Sequence, residues 1–159
     1  MSIESKVLGQ QVAYPTDYCP SILVPVPRSL NREIYDIYTP EELFRGFDTW
    51  HAYEAGFLAR NGLPVCGVLK LVYPANSPCI VESKSLKLYL NSLNMTRLGE
   101  DTPSGVETYL QIVKSDLEQI LQTRVEATFF RQASEKPYFD FQDYTLLEAT
   151  PGIERETFT

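Results

Sequence analysis

Histidine is nearly absent from this chain: His51 is the only one among 159 residues. A histidine-based metal centre, which normally converges two or three such ligands, has nothing to draw on. Cysteine is scarce too. Cys19, Cys66 and Cys79 are odd in number and fit no Cys-x-x-Cys spacing, so a disulfide framework is not expected and a reduced, cytoplasmic protein is. Cys66 and Cys79 are expected as small buried apolar residues. No run approaches the roughly 18–20 apolar residues of a membrane helix, and no basic stretch leading into an apolar one opens the chain. Positive charge is in deficit. Fourteen Lys and Arg against 21 Asp and Glu give a net charge of −7 and a pI near 4.7, which argues against nucleic acid held through its phosphates. A local basic pocket for a single nucleotide phosphate remains compatible with that balance.

What is present is enough for a core. With 43% hydrophobic residues, the chain reads as one domain over 1–159, with an arm over 1–45, a folded core over 46–148 and a polar tail over 149–159. Prolines at 15, 20, 25, 27 and 40 break the arm, so no regular element is expected there. Ile22, Leu23 and Val24 can anchor it. Residues 48–60 are ambiguous: Trp50, Tyr53, Phe57 and Leu58 have helical spacing, whereas Thr49, His51, Tyr53, Ala55 and Phe57 alternate as in a strand. Asn61-Gly62 is a tight-turn signal, and Val65, Gly67, Leu69, Leu71 and Tyr73 then alternate, so a hairpin accounts for both halves. Leu86, Tyr89, Leu90 and Leu93 predict a short amphipathic helix starting near Ser83 or Ser85. Val106, Tyr109, Leu110, Val113, Leu117, Ile120 and Leu121 predict a longer one, with Ser104 and Glu107 at capping-box spacing. Strands are expected at Val125–Phe129 and from Phe139 to Leu147. The fold class is α+β: an antiparallel four-stranded sheet with two helices between its second and third strands, on one face.

One stretch concentrates chemistry. Glu82-Ser83-Lys84-Ser85-Leu86-Lys87 puts a carboxylate, two hydroxyls and two ammoniums where a helix begins. Such a cluster can bind a polar heterocycle and a phosphate, since a charged acceptor strengthens hydrogen bonds from an amide-and-amine edge and an ammonium suits a phosphate. It can equally be a solvated helix start. Val26-Pro-Arg-Ser-Leu-Asn-Arg32 is a polar loop with two guanidiniums, Arg28 and Arg32, whose role is either to anchor the arm or to face a site. His51 beside Trp50 reads as a packed histidine.

These stretches together resemble the QueF family, the NADPH-dependent nitrile reductases that convert 7-cyano-7-deazaguanine (preQ0) to its aminomethyl base in queuosine biosynthesis. The likeness is carried by Val26 to Arg32, Asp48-Thr-Trp50 with Tyr53-Glu54, Gly62-Leu-Pro64, and Glu82 to Ser92 extended through Asn94, Thr96 and Arg97. It is similar to the N-terminal half of the long, two-module members. The resemblance implies the tunnelling fold, in which sheets associate side by side into barrels with binding sites where units meet. It implies that Val81, Glu82 and Ser83 touch the deazaguanine and that Ser83 and Lys84 touch NADPH. The departures matter as much. The family's nucleophilic cysteine lies in a Cys-Pro-x-Thr-x-x-Pro-Asp-like segment, but the hairpin here reads Ala59-Arg-Asn-Gly-Leu-Pro64. The family's Phe-His-Glu is replaced by Arg97-Leu-Gly-Glu-Asp101. The resemblance therefore implies a module with no catalytic residue of its own, acting with a catalytic module in the same longer protein or in a separate chain. The alternatives are a stand-alone binder of a purine- or pterin-like ligand, or a structural subunit.

Overall fold

The computed structural model describes residues 15–38 and 45–131. Strand β1 is Pro25–Pro27, followed by a one-turn helix α1, Ser29–Arg32; β2 is Phe47–Leu58, β3 Pro64–Pro74 and β4 Cys79–Val81. Helix α2, Ser83–Leu93, and helix α3, Thr102–Leu121, follow, and β5 is Glu126–Phe130. The strands form two antiparallel sheets, one of three strands in the order β2-β3-β5 and one pairing β1 with β4. The chain is thus α+β with both helices between β4 and β5. The fourth strand expected from Phe139 to Leu147 lies outside the described residues, as does the tail from 149.

The hairpin forms as the turn signal predicts, with Gly62 taking a positive φ of 86° that a side chain would resist. Its pairing is not uniform. Trp50 opposes Leu71 and Ala52 opposes Leu69, but Ala55 opposes Gly67, so Tyr53 and Glu54 together face the single residue Val68. That bulge explains the mixed periodicity of the sequence. Trp50 and Ala52 lie on the core face, and so do Ala55 and Phe57 beyond the bulge. The expected alternation, with Thr49, His51 and Tyr53 on the face of Ala55 and Phe57, is therefore wrong by one residue before the bulge.

Both helices join the core against this face. Leu69, Leu71 and Tyr73 meet Leu86, Tyr89 and Leu93 of α2 and Tyr109, Val113 and Leu117 of α3 in one buried cluster. Phe57 stacks on Tyr109 at 5.5 Å between centroids, and Tyr109 meets Phe129 edge-on at 5.5 Å, so one aromatic chain ties β2, α3 and β5 together. The cap of α3 differs from expectation. Asp101, not Ser104, is the N-cap: its side chain accepts from the Ser104 N–H, and the Ser104 hydroxyl accepts from the Asp101 N–H. The two residues thus make a reciprocal box one turn earlier than Ser104–Glu107 spacing suggests.

The arm is more regular than its prolines imply. Val26 pairs with Ile80, and the flanking Pro25 and Pro27 sit opposite Val81 and Cys79 in an edge pairing that tolerates a missing N–H. Leu23 is buried as expected, and Ile22 packs on the core. Buried serines stitch the arm to α2. The Val24 N–H donates to Ser85 Oγ at 3.1 Å, and the Cys19 N–H donates to Ser92 Oγ at 3.2 Å. Arg28 ion-pairs with Asp48 and donates to Ser77, while Arg32 donates to the Ala75 carbonyl. Both arginines thus anchor the arm to the β3–β4 connection. Cys66 is exposed rather than buried, and Cys79 is half-buried. Cys66 sits opposite Gly56, next to the inward-facing pair of Phe57 and Val65, so its own side chain points off the core.

Candidate functional site

The signature stretch begins with β4 and turns into α2 at Glu82. Backbone φ and ψ of −72° and 131° end the extended segment there, and the carboxylate folds back over the new helix. Its Oε1 accepts from the Lys84 N–H at 2.9 Å and its Oε2 from the Ser85 N–H at 2.7 Å. One side chain thus satisfies two of the N–H groups that a helix start leaves open, and its charge offsets the positive end of the helix dipole. Ser85 completes the turn, donating to the Glu82 carbonyl at 2.8 Å. The carboxylate that the sequence offered for binding is therefore the helix cap, and its Oε2 keeps a second lone pair.

The other signature residues separate in space. Val81 is only 2% exposed and its side chain belongs to the core, so only its backbone can meet a ligand. Ser83 is exposed, and its hydroxyl lies 3.5 Å from Glu82 Oε1. Ser83 and Lys87, one helical turn apart, share a face of α2 with Leu86, Leu90 and Asn91. That face and residues Trp50 to Glu54 of β2 enclose a groove of about 290 Å³. Val81, Glu82 and Lys84 are not among its walls; of the signature's binding candidates only Ser83 is.

The β2 wall carries residues that the sequence alone did not assign to the site. The Trp50 indole N–H donates to the Tyr73 hydroxyl at 2.8 Å, which fixes the ring at the groove. Burial raises the Tyr73 pKa, so the phenol stays neutral and also receives the Val81 N–H at 3.4 Å. One phenol thereby links the groove wall to the start of the signature. Tyr53 and Glu54 reach the groove through the bulge, Tyr53 being 76% exposed. The mixed periodicity of residues 48–58 was the signal for them. Along its outer edge β2 has no strand partner among the described residues, apart from a bridge between Leu58 and Arg97.

Behind α2 the arm is clamped by a shared carboxylate. Tyr18 and Tyr89 both donate to Asp116 Oδ2, at 2.7 and 2.6 Å. Desolvation, and then the bond to Asp116, push the Tyr18 pKa up to about 12, and the same causes raise that of the more deeply buried Tyr89. No group of three or more His, Cys, Asp or Glu that could hold a metal ion occurs among the described residues. No helix among them is long and apolar enough to cross a membrane.

Comparison with known proteins gives these features a family. The family described as nitrile reductase, 7-cyano-7-deazaguanine-reductase N-term, matches residues 14–129. Proteins named NADPH-dependent 7-cyano-7-deazaguanine reductase are similar to the chain. The one from Acinetobacter baumannii (strain ATCC 17978) is 40% identical over 131 residues, covering 82% of this chain and 46% of the relative. The one from Psychrobacter cryohalolentis is 40% identical over 131 residues, covering 82% and 44%, and that from Legionella pneumophila (strain Corby) is 36% identical over 146, covering 92% and 47%. The chain thus spans about half the length of these relatives. With a family match from the arm through β5 and the arm motif, bulged strand and capped signature helix all inside it, the chain belongs to the QueF family through its 7-cyano-7-deazaguanine reductase N-terminal domain.

Proposed function

We propose that this chain is the N-terminal, non-catalytic module of a 7-cyano-7-deazaguanine reductase of queuosine biosynthesis. It supplies part of the substrate and NADPH site to a catalytic module that carries the nucleophile. The observation that carries this reading is the groove between β2 and the signature helix, since β2 is an edge strand among the described residues. A second unit laid along that edge in a tunnelling-fold barrel would close the groove and finish the sheet, covering backbone groups that an open edge leaves unpaired.

In this reading the Val81 backbone, Glu82 and Ser83 meet the base, and Ser83 and Lys84 meet NADPH. The residues fit both groups in kind. The capped Glu82 carboxylate is rigid and retains acceptor capacity, and the first turn of α2 offers an exposed hydroxyl and an ammonium for a phosphate. NADPH would supply the hydride. This chain's residues bind and orient. Cys19-Pro20 lies in the arm without the threonine and aspartate of the Cys-Pro-x-Thr-x-x-Pro-Asp-like segment, and no Phe-His-Glu occurs in the sequence, so the covalent step is assigned to the partner.

The test is the reaction reconstituted with a catalytic module of a relative. Nitrile-dependent NADPH oxidation is expected with the wild-type chain and is abolished by Glu82→Ala, measured at a temperature where circular dichroism shows the variant folded. Undiminished turnover with Glu82→Ala would sink the site assignment.

A further inference from the structure

The signature's carboxylate, Glu82, is not among the groove's walls, and each of its oxygens already accepts one backbone N–H. Among the described residues Glu54 is the one carboxylate that lines the groove. The bulge brings it there: two residues, Tyr53 and Glu54, occupy the space opposite Val68, and both are exposed. Bulges often re-aim a side chain next to a site. Across the groove stands Lys87 on α2. Among the described residues the side chains of Glu54 and Lys87 make no hydrogen bond or ion pair, with each other or with a third group. An acid on β2 and an ammonium on α2 thus line one groove without pairing, together with the apolar Leu86, Leu90 and Ala52 and the fixed Trp50 ring.

The geometry points to Glu54 as a ligand-binding residue of this chain. It accepts the exocyclic amine of a flat 2-aminopyrimidinone-type base lying in the groove, with Lys87 toward the base's oxo group. This assignment rests on the groove being a base site, as proposed above. Acceptor arithmetic supports it. A base of this kind presents a ring N–H and two amine hydrogens, and Glu82, half committed to its helix cap, does not satisfy them all without competing with that cap. A second charged acceptor opposite a cation fits an amine at one end of the ring and a carbonyl at the other. The apolar floor takes the ring faces. At about 290 Å³ the groove lies at the small end of ligand sites, which suits a single bicyclic base.

The chain carries its own probe, because Trp50 is its single tryptophan and lines the groove. The purified chain is titrated with 7-cyano-7-deazaguanine, and with the analogue lacking the exocyclic amine, while Trp50 fluorescence is followed. Saturable binding of the first base is expected. Glu54→Gln should weaken it about tenfold or more, the size of one charged hydrogen bond. The same variant should bind the analogue within about twofold of wild type, since no amine is there to lose its acceptor. That difference is one that a merely structural role for Glu54 does not produce. Equal affinity of Glu54→Gln and wild type for the amine-bearing base overturns the assignment, as does absence of binding by the wild-type chain. If reconstituted NADPH oxidation survives alongside either result, only the role of Glu54 falls and the reductase-module reading stands.

Discussion

At the scale of single residues, two serines of the signature, Ser85 and Ser92, turn out to be structural. Ser85 is 3% and Ser92 1% exposed, and each accepts from an arm N–H while donating to a carbonyl of its own helix. Ser85→Ala should cost about 1–3 kcal/mol, the range for leaving a buried polar group unpaired, and chemical denaturation would measure it. A loss within error of zero would mean that water replaces the hydroxyl. Tyr18 gives a pH-dependent counterpart. Its folded-state pKa is raised above the ordinary tyrosine value of 10.0, so its contribution is fully present below that value and is lost as pH rises through about 12. Ionisation would set a phenolate beside the Asp116 carboxylate and release the arm. Tyr18→Phe should remove the part of the alkaline loss of stability above pH ~10 that comes from this clamp, as read by thermal melts across pH. The sequence held no local sign of these contacts. Tyr18 and Asp116 lie 98 positions apart, and only the folded arm brings them together.

At the scale of elements, periodicity and turn chemistry carried most of the reading. Asn61-Gly62 marked the hairpin, and the apolar stripes of α2 and α3 fell where the sequence put them, because local spacing decides both. Two features escaped. The β1–β4 pair joins three-residue strands far apart in the chain, one of them flanked by prolines, and nothing local encodes such a pairing. The bulge at Tyr53–Glu54 mixed two periods and placed the groove wall one residue out of phase. The start of α3 was set by Asp101 rather than Ser104, and this cap has a pH signature. Hydrogen bonds from the Ser104 side chain and backbone hold the Asp101 carboxyl below its ordinary pKa. Its stabilisation is therefore present above the unfolded carboxylate value and is lost as pH falls through the lower folded one. Asp101→Ala should lower the melting temperature at neutral pH, and the gap to wild type should close in acid. A constant gap down to pH ~2 would contradict a charged cap. Beside this cap, Gly99 has φ +68°, and a Cβ on it would sit 2.2 Å from the Gly105 nitrogen. Gly99→Ala is thus expected to destabilise more strongly than the cap variant, by strain and by clash.

At the scale of the whole molecule, a groove between β2 and α2 involves a strand that is at the sheet edge among the described residues, in a chain that spans about half of its relatives. The base-binding and cofactor-binding roles proposed for the signature came only from family resemblance, because a carboxylate and a lysine at a helix start have an ordinary structural use, which Glu82 serves as the cap of α2. What the fold adds is the setting. The signature helix from Ser83, the Tyr73-braced Trp50 and the bulged strand line one groove. An acidic chain with net charge −7 has little general affinity for polyanions, so a nucleotide cofactor would be held by local groups. The most direct test of this account is nitrile-dependent NADPH oxidation by the chain alone, by the catalytic half of a relative alone, and by the two mixed. The account predicts no turnover by the chain alone and a rate in the mixture well above that of the catalytic half alone. Turnover by the chain alone, or a mixture no faster than the catalytic half, would contradict it.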